Sequence, residues 1–459
     1  MVAVVEARQL SFPKPPPLSL SLSSPHVTSL LFEPTFLSLA LSHSDSSFSL
    51  YHSFSPLSLA PPFSIPPPKT LVPPPVSSAT FLILRDANPN PNSLFIASSP
   101  LSGGSAVLFR FYILSPARKS FIRARVLCNH SDIRSEEGKF GVVFGVSHGV
   151  SVKLAGSVNV FAMYSISNSK IWIFSVKHMG NDEVKLMKCA VIDCSVPVFS
   201  MSLSFGFLIM GEENGVRVLP LRPLIKGTAK QDIGLSKKKL INALDRDNKM
   251  GNERLNRTEI VGTETELKLN YGSHFEKRSD QHSHAAKLKS AKLRQDSRGW
   301  GVSYFAFEQV FNLESVKVPI KSVKAISIQA LSASKFLILD SVGNLRIMFL
   351  ASYAPGYKIH GHMKRLSLTL RVQRMAVLPD NSASTQAVWL SDGLHSIHVM
   401  VLNEAESSVS EIENKETDEM QTSVPQAIFS SEIIQEIAPV TANSAMLLGQ
   451  GSIFVYAIS

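Results

Sequence analysis

The sequence predicts an all-β protein, a seven-bladed β-propeller that is interrupted by a long disordered, basic insertion. The first observation is that an apolar run, a short turn containing Gly, Ser or Asn, and a second apolar run recur seven times. Each copy is typical of a β-hairpin, and a unit repeated at tens of residues indicates a repeat architecture. The clearest copies are Phe207–Leu221, Phe336–Leu350, Val388–Leu402 and Met446–Ile458, and the looser copies are Phe36–Phe54, Leu94–Leu114 and Val158–Val176.

The spacing of the turns is the second observation, and it supports the count of seven. Successive turn centres are separated by similar lengths of chain, except that the gap from Asn214 to Gly343 is at least about twice as long as the others. That gap contains the charged segment 226–298, and leaving this segment out brings the gap into line with its neighbours. The turn centres lie near Asp45, Gly103, Asn168, Asn214, Gly343, Gly393 and Gly449.

Further strands are predicted upstream of the hairpins. Short runs rich in Val, Ile, Phe and Leu are bounded by Gly, Asn, Asp, Ser and Pro, as is usual for strands. Examples are Lys321–Ala330, Leu366–Leu378 and Ala427–Pro439. Three to four strands in a unit of about 50 residues make a propeller blade, and a propeller grows by adding blades rather than by thickening one core.

The hairpins resemble a known family. Residues 336–347 (FLILDSVGNLRI) combine an apolar run, a short polar segment, a glycine and alternating apolar residues, which resembles the inner hairpin of a WD40-type repeat. The Trp-Asp dipeptide of that family is missing, since Ile173 follows Trp172 and Leu390 follows Trp389. The resemblance implies a degenerate WD40-like propeller and transfers no binding residue.

The predicted organisation has four parts. Residues 1–27 are either a targeting segment or a first strand, because the region 1–80 is rich in Ser and Pro and poor in acids, as in plastid transit peptides. Blades 1–4 are expected in residues 28–225 and blades 5–7 in residues 299–459. The insertion 226–298 is expected between them.

Charge is concentrated in this insertion. It holds 17 Lys and Arg against 10 Asp and Glu, so +7 of the chain's net charge of +10 lies there. With few large apolar residues, such a segment cannot bury enough surface to offset its ordering entropy, and we expect it to be disordered. A second, acidic loop is expected at 404–420, where seven carboxylates face a single lysine, Lys415.

Two cationic clusters in the insertion are the candidate site. Such clusters are read by nuclear import receptors or pair with phosphates by releasing counterions. Base stacking is not favoured, because only Tyr271 and Phe275 lie between the clusters. A solvated insertion without a ligand, nuclear import and non-specific nucleic-acid contact all remain open. The residues are Lys237, Lys238 and Lys239 in one cluster and Lys287, Lys289, Lys292 and Arg294 in the other.

The sequence contains no motif for catalysis or cofactor binding. A nucleophile elbow, a Walker loop, a GxGxxG motif opening a helix and HExxH are missing, so we predict neither an enzyme nor a cofactor. His360 and His362 have no third ligand nearby in the sequence, so no metal site is predicted. Three cysteines favour a reducing compartment, and no apolar run is long enough to span a membrane.

These features predict a non-catalytic protein-interaction scaffold built on the propeller, with other proteins as partners. The alternative is a nuclear, nucleic-acid-associated protein that uses the basic segment 226–298. The expected location is the nucleus, the cytoplasm or both, with the plastid as a further alternative because of residues 1–27.

Overall fold

The computed structural model describes residues 5–13, 25–85, 91–128, 130–136, 141–146, 149–180, 182–226, 290–297, 300–307, 322–351, 359–379, 385–403, 419–420 and 426–458. Within them the chain forms seven sheets and one short α-helix, α1 (Leu221–Lys226). Two 3-10 turns lie at Pro56–Ser58 and Ser102–Gly104.

Each sheet is one blade, and its first four strands are antiparallel. Blade 1 contains β2 (Val27–Glu33), β3 (Ser38–His43), β4 (Phe48–Tyr51) and β5 (Thr70–Val72). Blade 2 contains β6 (Ser78–Leu84), β7 (Asn92–Leu101), β8 (Ala106–Ser115), β12 (Gly141–Gly145) and β11 (Ile133–Glu136), with β9 (Ser120–Arg123) also on β8. Blade 3 contains β13 (Val152–Gly156), β14 (Val160–Ser165), β15 (Lys170–Gly180) and β16 (Glu183–Asp193), to which β10 (Arg125–Cys128) and β20 (Ala291–Arg294) are added.

The remaining blades follow the same plan. Blade 4 contains β17 (Ser200–Ser204), β18 (Phe207–Glu212), β19 (Gly215–Pro220) and β21 (Ser303–Ala306). Blade 5 contains β22 (Ala325–Ala330), β23 (Lys335–Asp340), β24 (Leu345–Leu350) and β25 (Gly361–Leu366), with β29 (Glu419–Met420) added. Blade 6 contains β26 (Arg374–Val377), β27 (Thr385–Ser391), β28 (Ser396–Asn403) and β30 (Gln426–Phe429), and blade 7 contains β31 (Glu436–Thr441), β32 (Ser444–Leu448), β33 (Ile453–Ile458) and β1 (Val5–Leu10).

The first strands of the blades form a closed ring around the centre. In the order β2, β6, β13, β17, β22, β26 and β31, each strand contacts the next, and β31 contacts β2. This ring confirms the predicted WD40-like, seven-bladed propeller. All seven predicted hairpins are present, as the second and third strands of the blades.

Packing between blades explains why the hairpin strands are apolar on both faces. In β23 and β24 nearly every side chain is buried, because a neighbouring blade covers each face of the sheet. The described core divides into seven clusters, one at each junction between adjacent blades. Each blade is therefore stabilised mainly by its two neighbours.

The ring is closed by both ends of the chain. β1 pairs with β33 from Val5↔Ile458 to Leu10↔Ile453, so N-terminal residues form the outermost strand of blade 7. Leu10 is buried in the cluster between blades 7 and 1. The predicted N-terminal segment 1–27 thus contains a strand, and the structure does not bear on its role in targeting.

The structure corrects the position and limits of the basic insertion. β21 is the outermost strand of blade 4, so the insertion lies inside blade 4, between β19 and β21, and not between blades 4 and 5. Lys226 ends α1, which packs against β15 and β16, and β20 pairs in parallel with Ala190–Asp193 of blade 3. Residues 227–289 lie outside the described part of the chain.

The second cationic cluster was predicted to be disordered, but buried and exposed residues alternate along it as they do in a strand. Leu293 is buried between blades 3 and 4, whereas Lys292 and Arg294 on either side of it are exposed. A short strand with one apolar face can cover a sheet edge even in a basic segment. The charge count alone concealed this apolar face.

The acidic loop is placed in the same way. Residues 404–418 lie outside the described part, between β28 and a short strand, β29, that pairs in parallel with Arg365 and Leu366 of blade 5. The chain then returns as β30, the outermost strand of blade 6. In blades 4 and 6 alike, the returning chain adds a strand to the preceding blade before it completes its own.

Candidate interaction surface

One end of the propeller carries the turns between the second and third strands, and we call this end the hairpin face. Because the strands alternate in direction, the first strand of each blade begins at this face. Arg374 pairs with Ser391, the last residue of β27, and Glu436 pairs with Leu448, the last residue of β32. Residues at the start of a first strand therefore lie at the mouth of the central channel.

Polar side chains of the innermost strands bond to the backbone of neighbouring blades. Between blades 2 and 3, Ser78 Oγ accepts from Leu154 N at 3.0 Å, and between blades 3 and 4, Lys153 Nζ donates to Phe199 O at 2.9 Å. From blade 4 to blade 5, Ser200 Oγ donates to Ala325 O at 2.8 Å, and from blade 5 to blade 6, Gln329 Nε2 donates to Met375 O at 2.8 Å. From blade 6 to blade 7, Arg374 Nε donates to Gln435 O at 2.8 Å, and from blade 7 to blade 1, Glu436 Oε2 accepts from Leu30 N at 2.7 Å. These bonds join the innermost strands of adjacent blades. In the described residues, no three His, Cys, Asp or Glu side chains form a group that could hold a metal ion.

Glu436 joins blade 7 to blade 1 at the point of ring closure. Burial raises the pKa of this carboxyl above its usual value, although the bond from Leu30 N and the nearby charge of Arg374 act in the opposite direction. The carboxylate is therefore held as a structural acceptor in an environment that disfavours its charge.

Two lysines from different blades converge on Phe199, which lies just before the first strand of blade 4. Lys153 of blade 3 donates to its carbonyl oxygen, and Lys324 Nζ, at the entry to blade 5, lies 4.8 Å from the centre of its ring. The second contact is a cation–π interaction. Phe199 therefore brings two ammonium groups to the same part of the channel mouth.

The same surface continues through the turn of blade 5 to two arginines. Lys324 N donates to Ser341 Oγ at 3.0 Å, and Val372 N donates to Gly343 O at 3.1 Å, so the turn bridges the entries to blades 5 and 6. Arg371 precedes Val372, and Arg374 begins β26. Four cations therefore follow one another along the mouth of the channel, and we call Lys153, Lys324, Arg371 and Arg374 the basic arc.

Three carboxylates in the nearby turns are held by hydrogen bonds or ion pairs, whereas a fourth, Glu213, forms a β-bridge with Lys324 and accepts from Ser322 Oγ at 3.5 Å. Asp340 is fully buried, contacts Arg346 and accepts from the backbone N of Val342 and Asn344, each at 2.9 Å. Burial alone would raise the pKa of Asp340, but the hydrogen bonds from Arg346 and Asn344 lower it. Asp392 accepts from Leu394 N at 2.8 Å.

Glu212, in the turn of blade 4, is held by an ion pair and an amide. Arg217 Nε and Nη2 bind its two oxygens at 2.6 and 2.9 Å, and Gln295 Nε2 donates to Oε1 at 2.6 Å. Gln295 is fully buried and also accepts from Val196 N at 3.0 Å. It anchors the far end of the basic insertion, a role that nothing in the sequence indicated.

Exposed apolar side chains lie beside the basic arc. Ile326, Val342 and Leu394 are 41, 43 and 57% exposed, respectively. Ile326 follows Lys324 closely, Val342 lies in the turn of blade 5, and Leu394 lies in the turn of blade 6. The hairpin face of blades 5 and 6 therefore combines cations with exposed aliphatic groups.

The predicted site residues are only partly visible. Lys292 and Arg294 are exposed on β20, whereas Lys237, Lys238, Lys239, Lys287 and Lys289 lie outside the described residues. His362, considered above as a ligand, stacks on Phe349 with ring centres 4.8 Å apart. The three cysteines are free and half-buried, and burial raises the pKa of Cys194 to about 12.

Sequence reasoning missed the basic arc, because its four members are scattered between positions 153 and 374. Each lies within a few residues of the start of an innermost strand, and this shared position is the feature of the sequence that could have indicated the arc. That feature can be used only after the innermost strands have been identified.

The fold and these surfaces define a WD40-like β-propeller with a mixed basic and apolar face. Within the described residues, no helix has the length and apolar character that crossing a membrane requires.

A scan against protein-family models gives no match, and no curated protein matches the sequence. Among solved structures, the chain is similar to the β-propeller domain of Cps50 (Swd1) from Myceliophteria thermophila, with a TM-score of 0.45 and 8% identity over 99% of this chain and 100% of that one. It is also similar to Sqt1 from Chaetomium thermophilum, with a TM-score of 0.43 and 10% identity over 97% of this chain and 83% of that one. A third is the WD40 repeats of RRP9, with a TM-score of 0.41 and 8% identity over 96% of each chain.

Proposed function

We propose that the protein is a non-catalytic interaction scaffold that binds other proteins through the propeller. The observation that carries this proposal is the hairpin face, where aliphatic side chains are exposed beside cations on rigid turns. Loops held by a rigid framework are the usual place for binding residues. The polar side chains of the central channel are bound to neighbouring blades, which favours a role in assembly over catalysis.

Partner recovery tests the proposal. The tagged full-length chain is compared by proximity labelling with a chain lacking residues 228–289 and with the tag alone. We expect the two forms to recover a shared set of proteins above the tag control, because the binding surface lies on the blades. Recovery of no protein above control by either form would contradict the scaffold function.

A second candidate function is non-specific nucleic-acid contact by the basic insertion. Its support is that Arg222 and Lys226 on α1, and Lys292 and Arg294 on β20, are exposed at the two ends of the insertion. This function predicts binding of mixed-sequence RNA that falls steeply with salt, because counterions are released from phosphates. Binding that survives deletion of residues 228–289 would exclude the insertion as the site.

For location, we propose the nucleus, the cytoplasm or both, with Lys237, Lys238 and Lys239 as an import signal. Imaging of the fluorescently tagged chain tests this, with the tag at the C-terminal end. Replacing the three lysines by alanine is expected to shift the protein from the nucleus to the cytoplasm. Accumulation in plastids would contradict this assignment.

A further inference from the structure

We propose that the basic arc and its neighbouring aliphatic side chains bind an acidic segment of a partner protein that also carries aliphatic residues. The proposal rests on the scaffold function and specifies where it is exercised and what kind of segment is recognised.

The arc is one continuous surface, as its contacts show. Lys153 and Lys324 both bind Phe199, and the backbone of Lys324 is bonded to Ser341 in the turn of blade 5. The same turn bonds to Val372, next to Arg371. The four charges therefore lie along one side of the channel mouth, on blades 3 to 6.

In the described residues no ion pair neutralises the arc, although the buried carboxyl of Glu436 lies near Arg374. Within the described residues, none of its four cations has a carboxylate at ion-pair distance. Lys153 and Arg374 are bonded to carbonyl oxygens, which do not neutralise them. The turn carboxylates Asp340 and Glu212 are already bound to Arg346 and Arg217. The surface thus presents positive charge to any ligand.

The exposed aliphatic groups favour an acidic peptide over a single-stranded nucleic acid as the anionic partner. Ile326, Val342 and Leu394 are exposed beside the arc, and these side chains favour contact with apolar groups of a peptide. A single-stranded nucleic acid would instead need accessible aromatic rings for stacking. Phe199, the ring that the arc itself contacts, is half-buried and lies beneath Lys324. The exposed ring of Phe429 lies on the outermost strand of blade 6, not on the innermost strands at the channel mouth. An acidic peptide therefore fits this surface better than RNA does.

Fluorescence anisotropy with the full-length protein tests the proposal. The probe is a labelled peptide with four Glu-Glu-Leu repeats, compared with a Lys-Lys-Leu peptide and a mixed-sequence RNA of the same length. The test variant carries Lys324→Glu and Arg371→Glu. The matched control carries Arg118→Glu and Lys177→Glu, two exposed cations in the turn after β8 and near the end of β15, at the opposite face.

We expect the acidic peptide to bind, the test variant to weaken binding by about tenfold or more, and the control to leave it unchanged. Both variants should keep the wild-type melting temperature. Three results would overturn the proposal. They are equal binding by the test variant and the wild type, arc-dependent binding that is tighter for RNA than for the peptide, and peptide binding seen only after residues 404–418 are deleted, since the chain's own acidic segment would then be the occupant.

Partner recovery with the test variant separates this proposal from the scaffold function. Loss of partners that the control variant retains supports the arc as the docking site. If the test variant recovers the same proteins as the wild type, the arc assignment is wrong while the scaffold function stands. If no form recovers partners, the scaffold function itself fails.

Discussion

Gly343 shows how one residue in a turn fixes the contact between two blades. Its φ is +98°, a conformation that side chains with a β-carbon rarely adopt. An added Cβ would lie 2.5 Å from Cγ of Arg371 and 3.0 Å from the carbonyl oxygen of Val372. Both the conformation and the space therefore require glycine.

Gly343→Val is expected to lower the free energy of unfolding by about 1 to 3 kcal/mol, because a β-branched residue is strained at positive φ. Urea denaturation measures the change. Gly451→Val is the matched control, since Gly451 is also in a turn but an added Cβ there meets nothing within 4 Å and its φ is not left-handed. Equal losses in the two variants would contradict this role of Gly343.

Asp340 and Glu436 are expected to respond to pH in opposite directions. The pKa of Asp340 is lowered, so its contribution to stability is present above the ordinary carboxyl pKa and is lost as pH falls through the folded value. The pKa of Glu436 is raised, so its contribution is present at low pH and is lost as pH rises through the folded value. Relative to wild type, Glu436→Gln should gain stability as pH rises above about 4.5, whereas the deficit of Asp340→Asn should shrink as pH falls below about 4.

Urea denaturation at several pH values from about pH 3 to pH 7 tests the opposition. Glutamine keeps an acceptor for Leu30 N, whereas asparagine leaves the charge of Arg346 without a counterion. Parallel pH trends in the two variants would show that their environments are not as described.

At the scale of elements, β20 is a strand inside a segment whose composition predicts disorder. Leu293→Ala is expected to cost about 2 to 5 kcal/mol, because this side chain is buried between blades 3 and 4. Its exposed neighbour provides the control, and Lys292→Ala should change stability by less than about 0.5 kcal/mol. Thermal or urea unfolding of the two variants gives the comparison, and similar losses would mean that β20 is not docked.

The elements that could be predicted from the sequence are those with local partners. The second and third strands of a blade are joined by short turns, and the pattern of Phe336–Leu350 contains the whole hairpin. The outermost strands, such as β21 and β30, pair across long intervening segments, so a local pattern does not show which blade they belong to. The insertion was therefore assigned to the wrong side of β21.

The candidate site, too, could be predicted from the sequence only where its residues are close together in the chain. Lys237–Lys239 form a cluster that is obvious in the sequence, whereas the arc residues Lys153, Lys324 and Arg371 become neighbours only when the ring is closed. Their contacts depend on Phe199 and on the turn of blade 5, both remote in the chain from at least one member. A cluster of charges on the surface of this protein therefore need not appear as a cluster in its sequence.

Strand additions from neighbouring blades protect sheet edges. The outer edge of β16 is covered by β10 at Glu183–Leu186 and by β20 at Ala190–Asp193, so segments from both flanking blades cover blade 3. Uncovered strand edges invite pairing with other chains. The segments that carry the basic insertion are therefore also part of the structure of blade 3.

At the scale of the whole molecule, closure of the ring depends on contacts between the ends of the chain. β1 supplies a six-residue pairing with β33, and Glu436 of blade 7 binds the backbone of blade 1 at Leu30. Each of the seven described core clusters then lies between two blades, and none is left at an open end of the ring. Stability is shared around the ring, so damage at one junction is felt by the two blades that meet there.

Two deletions of the insertion distinguish its dispensable part from its structural ends. Replacing residues 228–289 by a Gly-Ser linker should leave the melting temperature within about 1 °C, because the compact unit consists of residues 1–227 and 290–459. Replacing residues 226–298 should lower it by several degrees, because β20, Leu293 and the bond from Gln295 to Glu212 are then lost. Differential scanning calorimetry on both forms makes the comparison. Equal melting temperatures would show that the return of the chain through blade 3 contributes nothing to the fold, and a large loss in the shorter deletion would show that residues 228–289 take part in it.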